Sequence, residues 1–168
     1  MGKTLIAYFS RKGANYVNGS MVNLSVGNTE VAAKMAQEVV GGDLFEIKTV
    51  KIYPADYTET TNVAQVEKSQ SARPELTAHV ENMDEYDTII LGYPNWWGTM
   101  PMAVFTFLEE YDFTGKTILP YCTHEGSGLG ASERDIKRVC QKANVEKGLA
   151  INGGSVKSAE GKIKSWRS

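Results

Sequence analysis

Apolar and polar positions along the chain follow two periods that take turns. Leu5–Phe9 is a short continuous apolar run, the pattern of a strand covered on both faces, and it stops at the polar turn Ser10-Arg11-Lys12-Gly13. A helical period appears only at Thr29–Val40, where Val31, Ala32, Met35, Ala36 and Val39 make one apolar stripe closed by Gly41-Gly42. Asp43–Val50 alternates, with Leu44, Phe45 and Ile47 against Glu46 and Lys48, which suits a strand near a sheet edge. Ile52–Thr61, rich in Tyr, Pro, Asp and Thr, reads as a loop. Asn62–Ala72 reads as a helix with Val63, Ala64 and Val66 inward, ended by Arg73-Pro74. Thr88–Gly92 is the most strand-like segment of all, β-branched and apolar. Met102–Glu110 follows as a helix with Val104, Phe105 and Leu108 inward and Pro101 in its first turn. Lys116–Cys122 is a fourth strand. Ser132 and Asp135 open a helix carrying Ile136, Val139 and Cys140; Val145–Ile151 is a fifth strand and Ala159–Arg167 a last short helix. Strand and helix in alternation predict an α/β protein, a parallel sheet covered on both faces, in a single domain over residues 1–168.

Composition removes several function classes. With 42% hydrophobic and 23% charged residues in 168, the chain has the make-up of an ordinary soluble globular domain. A net charge of −2 and the lack of any arginine-rich stripe argue against nucleic acid as a partner. No segment has the apolar length of a membrane span, so no membrane partner is expected. Cys122 and Cys140 match no metal-ligand spacing and make a poor disulfide framework, so no metal site is expected and both read as free thiols. Met1-Gly2-Lys3 runs into the first strand without a cleavage signature, and the expected compartment is the cytoplasm.

Ligands of such sheets bind beyond the carboxyl ends of the strands, which singles out three loops. Ser10–Gly13 with Gly27-Asn28-Thr29 combines hydroxyls, glycine amides and a helix start, a setting for a phosphate; the plainer reading is that Asn28 or Thr29 only caps the helix. Gly92–Pro101 holds the adjacent pair Trp96-Trp97, which cannot both enter one core: one anchors the loop and the other presents a ring face to a ligand or partner. Cys122–Gly130 offers three glycines, a threonine and a serine as close-approach donors. His124 there invites a general-acid role, but a lone loop histidine reads better as a hydrogen-bonding residue, and no third group supports a Cys122–His124 pair. His79 sits among charges and carries no assignment. Met100, Met102, Phe105 and Phe107 read as core or loop packing, and Tyr53-Pro54 with Asp56-Tyr57 as a packed turn away from any site.

Taken together the three loops resemble those of the flavodoxin-like family, over nearly the whole chain. Tyr8-Phe9-Ser10-Arg11 with Gly27-Asn28-Thr29 resembles a split form of the family's Ser/Thr-x-Thr-Gly-Asn-Thr flavin-phosphate loop. Tyr93-Pro94-Asn95-Trp96-Trp97-Gly98 and Thr123-His124-Glu125-Gly126-Ser127-Gly128 look like the two loops that clasp the isoalloxazine ring. The resemblance implies a three-layer sandwich with a five-stranded parallel sheet in the order 2-1-3-4-5, and non-covalent flavin mononucleotide (FMN). It implies Ser10, Asn28 and Thr29 at the phosphate, with Arg11 a nearby cation suited to a dianion. Gly13 would join them only if the chain returns past it. Pro94, Asn95, Trp96, Trp97, Gly98 and Thr99, with Thr123, His124, Glu125, Gly126, Ser127 and Gly128, would contact the ring, Trp96 or Trp97 stacking on it. No residue is implied as an acid–base catalyst, since the flavin itself transfers the electrons.

The chain departs from the family pattern at Ala14–Val26, which separates the two halves of the phosphate loop. Tyr16, Met21, Val22 and Leu24 suggest a partly ordered flap over the flavin. The function implied is flavodoxin-type electron transfer, with redox proteins or small-molecule donors and acceptors as partners. A small FMN-dependent NAD(P)H- or quinone-type reductase is the alternative, and the weak net charge speaks for it, because a dedicated carrier is steered by a strongly acidic face. A third reading is a flavin-free interaction domain that uses the Trp96-Trp97 loop as a protein-binding patch.

Overall fold

β1 (Lys3–Tyr8) sits inside the sheet because both of its faces are apolar: Leu5, Ile6 and Ala7 are buried, and its even and odd positions feed different cores. The computed structural model describes residues 3–167; Met1, Gly2 and Ser168, at the ends of the expected domain span, lie outside the described residues. After β1 come β2 (Gly13–Val17), β3 (Ser20–Leu24), α1 (Asn28–Val40), β4 (Asp43–Glu46) and α2 (Tyr57–Ser69). The second half holds β5 (Tyr86–Pro94), α3 (Met102–Glu110), β6 (Thr117–His124), α4 (Ser132–Val139), β7 (Asn144–Val145), β8 (Leu149–Asn152) and α5 (Glu160–Arg167).

The main sheet runs β4-β1-β5-β6-β7, all parallel, with β8 also on β6. Apart from the β2–β3 pair, this is the expected order 2-1-3-4-5, and β4 is the edge strand its alternation suggests. The period-2 pleat sorts the side chains. Leu5, Ala7, Ile89, Leu91, Tyr93 and Ile118 pack under α3 and α4, and Ile6, Tyr8, Ile90, Leu119 and Tyr121 under α1 and α5. That makes three layers. Met100, Met102, Phe105 and Phe107 are core residues, and both free cysteines are buried.

Three elements differ from their expected form. The fifth strand is broken rather than continuous over Val145–Ile151: β7 pairs with Thr117 and Ile118, and β8 with Tyr121 to His124. The break falls at Pro120, which has no N–H to donate to a carbonyl of the neighbouring strand, and the Gly148 N–H is taken up by Glu133 Oε2 at 2.7 Å. α2 begins at Tyr57, inside the expected loop Ile52–Thr61, because Asp56 caps it by accepting the Glu59 N–H at 2.8 Å. Its buried stripe is Thr60, Ala64 and Glu67, leaving Val66 exposed. Ser132 is not a cap: it is buried, donates to the Leu129 carbonyl at 2.6 Å and accepts from Tyr93 at 2.8 Å.

The segment Ala14–Val26, expected as a partly ordered flap, holds most of an antiparallel hairpin, β2 with β3. Its turn is Asn18-Gly19 with φ of 54° and 80°, the left-handed pair that suits the twist of a two-residue hairpin. Among the described residues, no helix is long and apolar enough to cross a membrane.

Candidate binding cavity

Because β1, β5 and β6 are parallel, the segments that follow them emerge at one edge of the sheet. Those segments, the start of α1, one side of α2 and the β2–β3 hairpin enclose a cavity of about 450 Å³, within the range of small-molecule sites. Twelve of its lining residues stand among the phosphate and ring contacts expected above: Arg11, Asn28, Thr29, Pro94, Asn95, Trp96, Trp97, Gly98, Thr123, His124, Glu125 and Ser127. Ser10, Thr99, Gly126 and Gly128 do not line it.

At one end the cavity meets the start of α1. Gly27 precedes the helix with no side-chain cap of its own, and the Glu30 N–H goes to Ser10 Oγ at 3.1 Å. Capping is therefore the role of Ser10, not of Asn28 or Thr29, and Ser10 does not line the cavity. A Cβ on Gly27 would overlap Ser10 Oγ and the Arg11 carbonyl, so only glycine lets β1's loop lie against the helix start. Thr29 is buried and shares a 2.8 Å hydrogen bond with Thr123, joining the first and third loops. The leading N–H groups of a helix have no partner within it and lie at its positive end, so this corner favours an anion.

The second loop is a two-residue turn. The Trp96 and Thr99 backbones pair, and Trp97 and Gly98 between them have φ of 56° and 86°. A left-handed tryptophan costs on the order of 1 kcal/mol and needs support. Its indole Nε1 donates to the Thr61 carbonyl at 2.8 Å, and Lys68 Nζ donates to its own carbonyl at 2.5 Å. Asn95 accepts the Gly98 N–H at 2.9 Å and donates to the Gly128 carbonyl at 2.8 Å, lacing the second loop to the third. The two tryptophans divide their roles. Trp96 packs edge-on against Phe9 and Tyr53, with ring centroids 5.2 and 5.3 Å away, whereas Trp97 is 45% exposed at the cavity. Thr99 is buried and donates to Asp135 Oδ2 at 2.5 Å, which points it into α4 and away from the cavity. Gly126 and Gly128 serve the loop's own geometry: the Gly126 N–H binds His124, and the Gly128 carbonyl receives Asn95.

His124 Nδ1 accepts the Gly126 N–H at 2.8 Å, which places the neutral ring's proton on Nε2. Burial lowers its pKa below the ordinary imidazole value; Glu125 opposes the shift and Lys162 adds to it. The unfolded chain then takes up this proton at higher pH than the folded one. The stability so contributed is full above the ordinary imidazole pKa and is lost as pH falls from there through the lowered folded value. Urea denaturation across mildly acidic pH should show a shallower pH slope in His124→Asn; an unaltered slope would exclude the histidine as its source.

Glu125 Oε1 accepts the Asn18 N–H at 2.8 Å and so holds the tip of the hairpin. Tyr16 of β2 packs edge-on against Tyr57 of α2, centroids 5.0 Å apart, and with Asn15 lines the cavity. At the hairpin base Arg11 donates to the carbonyls of Ala14, Pro54 (3.1 Å) and Ala55 (3.0 Å) and to Thr60 Oγ1 (3.3 Å). Its guanidinium is thus a brace between hairpin and α2, and desolvation there lowers its pKa. Gly153 completes the wall; a Cβ on it would crowd the side chains of Asn28 and Glu125.

Tyr16, expected in a flap over the site, does line the cavity, whereas sequence reasoning missed Asn15, Thr60, Thr61, Ala64 and Gly153 and put Tyr57 in a packed turn away from any site, although it lines the cavity from α2. Two signals were present: Asn18-Gly19 between alternating positions for the hairpin, and Asp56 followed three residues later by Glu59 for the start of α2. Nothing in the local sequence marks Gly153. Among the described residues no group of three or more His, Cys, Asp or Glu side chains is placed to hold a metal.

The family profile described as flavodoxin matches residues 3–168. The chain belongs to the flavodoxin family. Among solved structures, a provisionally named flavoprotein of Bacteroides uniformis ATCC 8492 is 35% identical with a TM-score of 0.80, covering 99% of this chain and 97% of that one. Another from Bacteroides eggerthii DSM 20697 is 29% identical with a TM-score of 0.80, over 99% and 96%. A flavoprotein of Lactobacillus acidophilus NCFM, solved in complex with FMN, is 22% identical with a TM-score of 0.71, over the whole of both chains. No curated protein matches the sequence significantly. Within the flavodoxin family, then, this chain carries its β2–β3 hairpin between the first strand and the first helix, where it roofs the cavity.

Proposed function

We propose that this flavodoxin-family protein binds FMN in the cavity and transfers electrons through it. The observation that carries the reading is the meeting of the α1 N-terminus, an exposed tryptophan and a glycine-rich loop around one cavity of about 450 Å³. The residues fit the cofactor. The α1 start at Asn28 and Thr29 suits its phosphate, Gly153 keeps the approach open, and Trp97 offers an exposed aromatic ring at the cavity that the third loop also lines. Bound FMN would supply one- and two-electron redox chemistry. The protein's part is to hold and orient it, exclude water and set the surrounding charge. Asn28 and Thr29 bind the phosphate end, Arg11 lines the cavity while bracing the hairpin to α2, and His124 offers a neutral Nε2–H donor. The hairpin covers the mouth.

Titration of the ligand-free protein with FMN should quench tryptophan fluorescence and yield a yellow complex; a colourless protein with no quenching overturns the reading. The weak net charge of −2 favours a second reading, a reductase fed by a small donor such as NAD(P)H. Mixing the FMN complex with NAD(P)H and a quinone separates the two: a carrier leaves the nicotinamide unoxidised.

The latch at the hairpin tip makes a further prediction. Glu125→Ala removes the acceptor of the Asn18 N–H, a charge-assisted bond worth about 1.5 kcal/mol, so FMN release should quicken by about tenfold. Stopped-flow dissociation measures it, and an unchanged rate would mean that the hairpin does not gate exchange.

A further inference from the structure

We infer that Trp96, Tyr53 and Glu67 form a proton-coupled electron relay leading from the cavity wall into the packing beneath α2. Trp96 lines the cavity, and its ring centroid lies 5.3 Å from that of Tyr53, edge-on at 84°. The Tyr53 hydroxyl donates a 2.7 Å hydrogen bond to Glu67 Oε1. The Glu67 side chain is only 9% exposed, and its second oxygen lies 3.8 Å from Lys51 Nζ. Phe9 packs edge-on against both rings, centroids 5.2 and 6.2 Å away, and walls the pair with a side chain that is hard to oxidise.

Packing alone does not call for this arrangement. Tyr53 needs one acceptor, which a neutral side chain would supply at a smaller desolvation cost than a carboxylate in the buried stripe of α2. A carboxylate adds a base in line with the phenolic proton. Burial, helped by Glu67, raises the Tyr53 pKa far above its usual value, so the phenol remains protonated and gives up its proton only along with an electron.

A small inorganic radical that reaches the cavity acts as the one-electron oxidant and removes an electron from the Trp96 indole. Tyr53 returns an electron to Trp96, and its phenolic proton moves along the existing bond to Glu67 Oε1. The products are intact Trp96, a neutral Tyr53 phenoxyl radical, protonated Glu67 and the oxidant reduced by one electron. The relay thereby draws an oxidising hole away from the cavity wall. It does not depend on flavin occupancy, so it is tested on the ligand-free protein.

The probe is the azidyl radical, generated by pulse radiolysis and followed by time-resolved absorption. All proteins carry Trp166→Phe, since Trp166 has its own tyrosine neighbour, Tyr121, at 6.5 Å. The expected result is first-order decay of the indolyl band with matching growth of the tyrosyl band, at a rate independent of protein concentration and slowed in D2O. Trp96→Phe and Tyr53→Phe should each abolish most of that growth. Glu67→Gln keeps an acceptor for the hydroxyl but no base for its proton, so transfer should slow several-fold. Equal tyrosyl yield in Tyr53→Phe overturns the relay, and an unchanged rate in Glu67→Gln overturns its proton step. Circular dichroism monitors folding. If Tyr53→Phe fails to fold, Glu67→Gln and the solvent isotope effect on the parent decide.

Discussion

Trp97→Ala is expected to weaken FMN binding by about 1–3 kcal/mol, roughly five- to 150-fold, while leaving the melting temperature close to that of the parent. The ring is 45% exposed, so its loss removes little packing from the folded protein, and what it offers is a face at the cavity. Trp96→Ala should behave in the opposite way. Its ring lies against Phe9 and Tyr53 beside the main core, and truncation there costs up to about 3 kcal/mol of stability, read by urea denaturation. FMN affinity should fall less in that variant once compared under conditions where it is folded. If both substitutions lower affinity equally and neither changes stability, the division of roles between the two rings is wrong.

The other large effect is expected at Gly92, near the carboxyl end of β5. Its φ is not in the left-handed region, so the demand for glycine there is steric. A Cβ at this position would fall inside the Tyr121 ring. That ring is almost wholly buried and cannot slide freely, because its hydroxyl donates to the Thr29 carbonyl at 2.8 Å. Gly92→Ala should therefore destabilise the fold by about 3 kcal/mol, the upper part of the usual range for overpacking. It should also loosen FMN, since displacing Tyr121 displaces the α1 start at Thr29. Adding Tyr121→Leu, which clears the space, should recover part of the stability, and the double-mutant cycle reads the coupling. Simple additivity would show that the two positions do not meet.

The two sites also show how far a linear reading reaches. Two adjacent tryptophans between proline and glycine imply that one ring packs and one is presented, and this follows from the sequence. Which ring does which depends on Phe9 and Tyr53, whose positions relative to the loop exist only once β1 and the segment after β4 are side by side. Gly92 reads simply as the end of an apolar strand. Nothing near it announces that a tyrosine from the next strand lies across it. Ser10 illustrates a third case: its type fits a phosphate ligand and a helix cap equally well, and the answer lies in where α1 begins after the hairpin. The hairpin itself was legible in Asn18-Gly19, as was the start of α2 in Asp56 and Glu59, but both signals lay in stretches whose polar composition reads as loop.

Taken alone, the order of apolar runs and helical stripes determined the α/β layering, and the family's loop motifs added the strand order and the three loops that would matter. Periodicity carries this much because burial on one or two faces is a local demand on each element. Tertiary structure alone decided the rest. It gave Ser10 to the helix, Thr99 to Asp135 and Arg11 to three backbone carbonyls, and it brought α2, Asn15 and Gly153 to the cavity. Each of those outcomes turns on hydrogen-bond partners and steric limits supplied by segments far away in the chain, which no local pattern records.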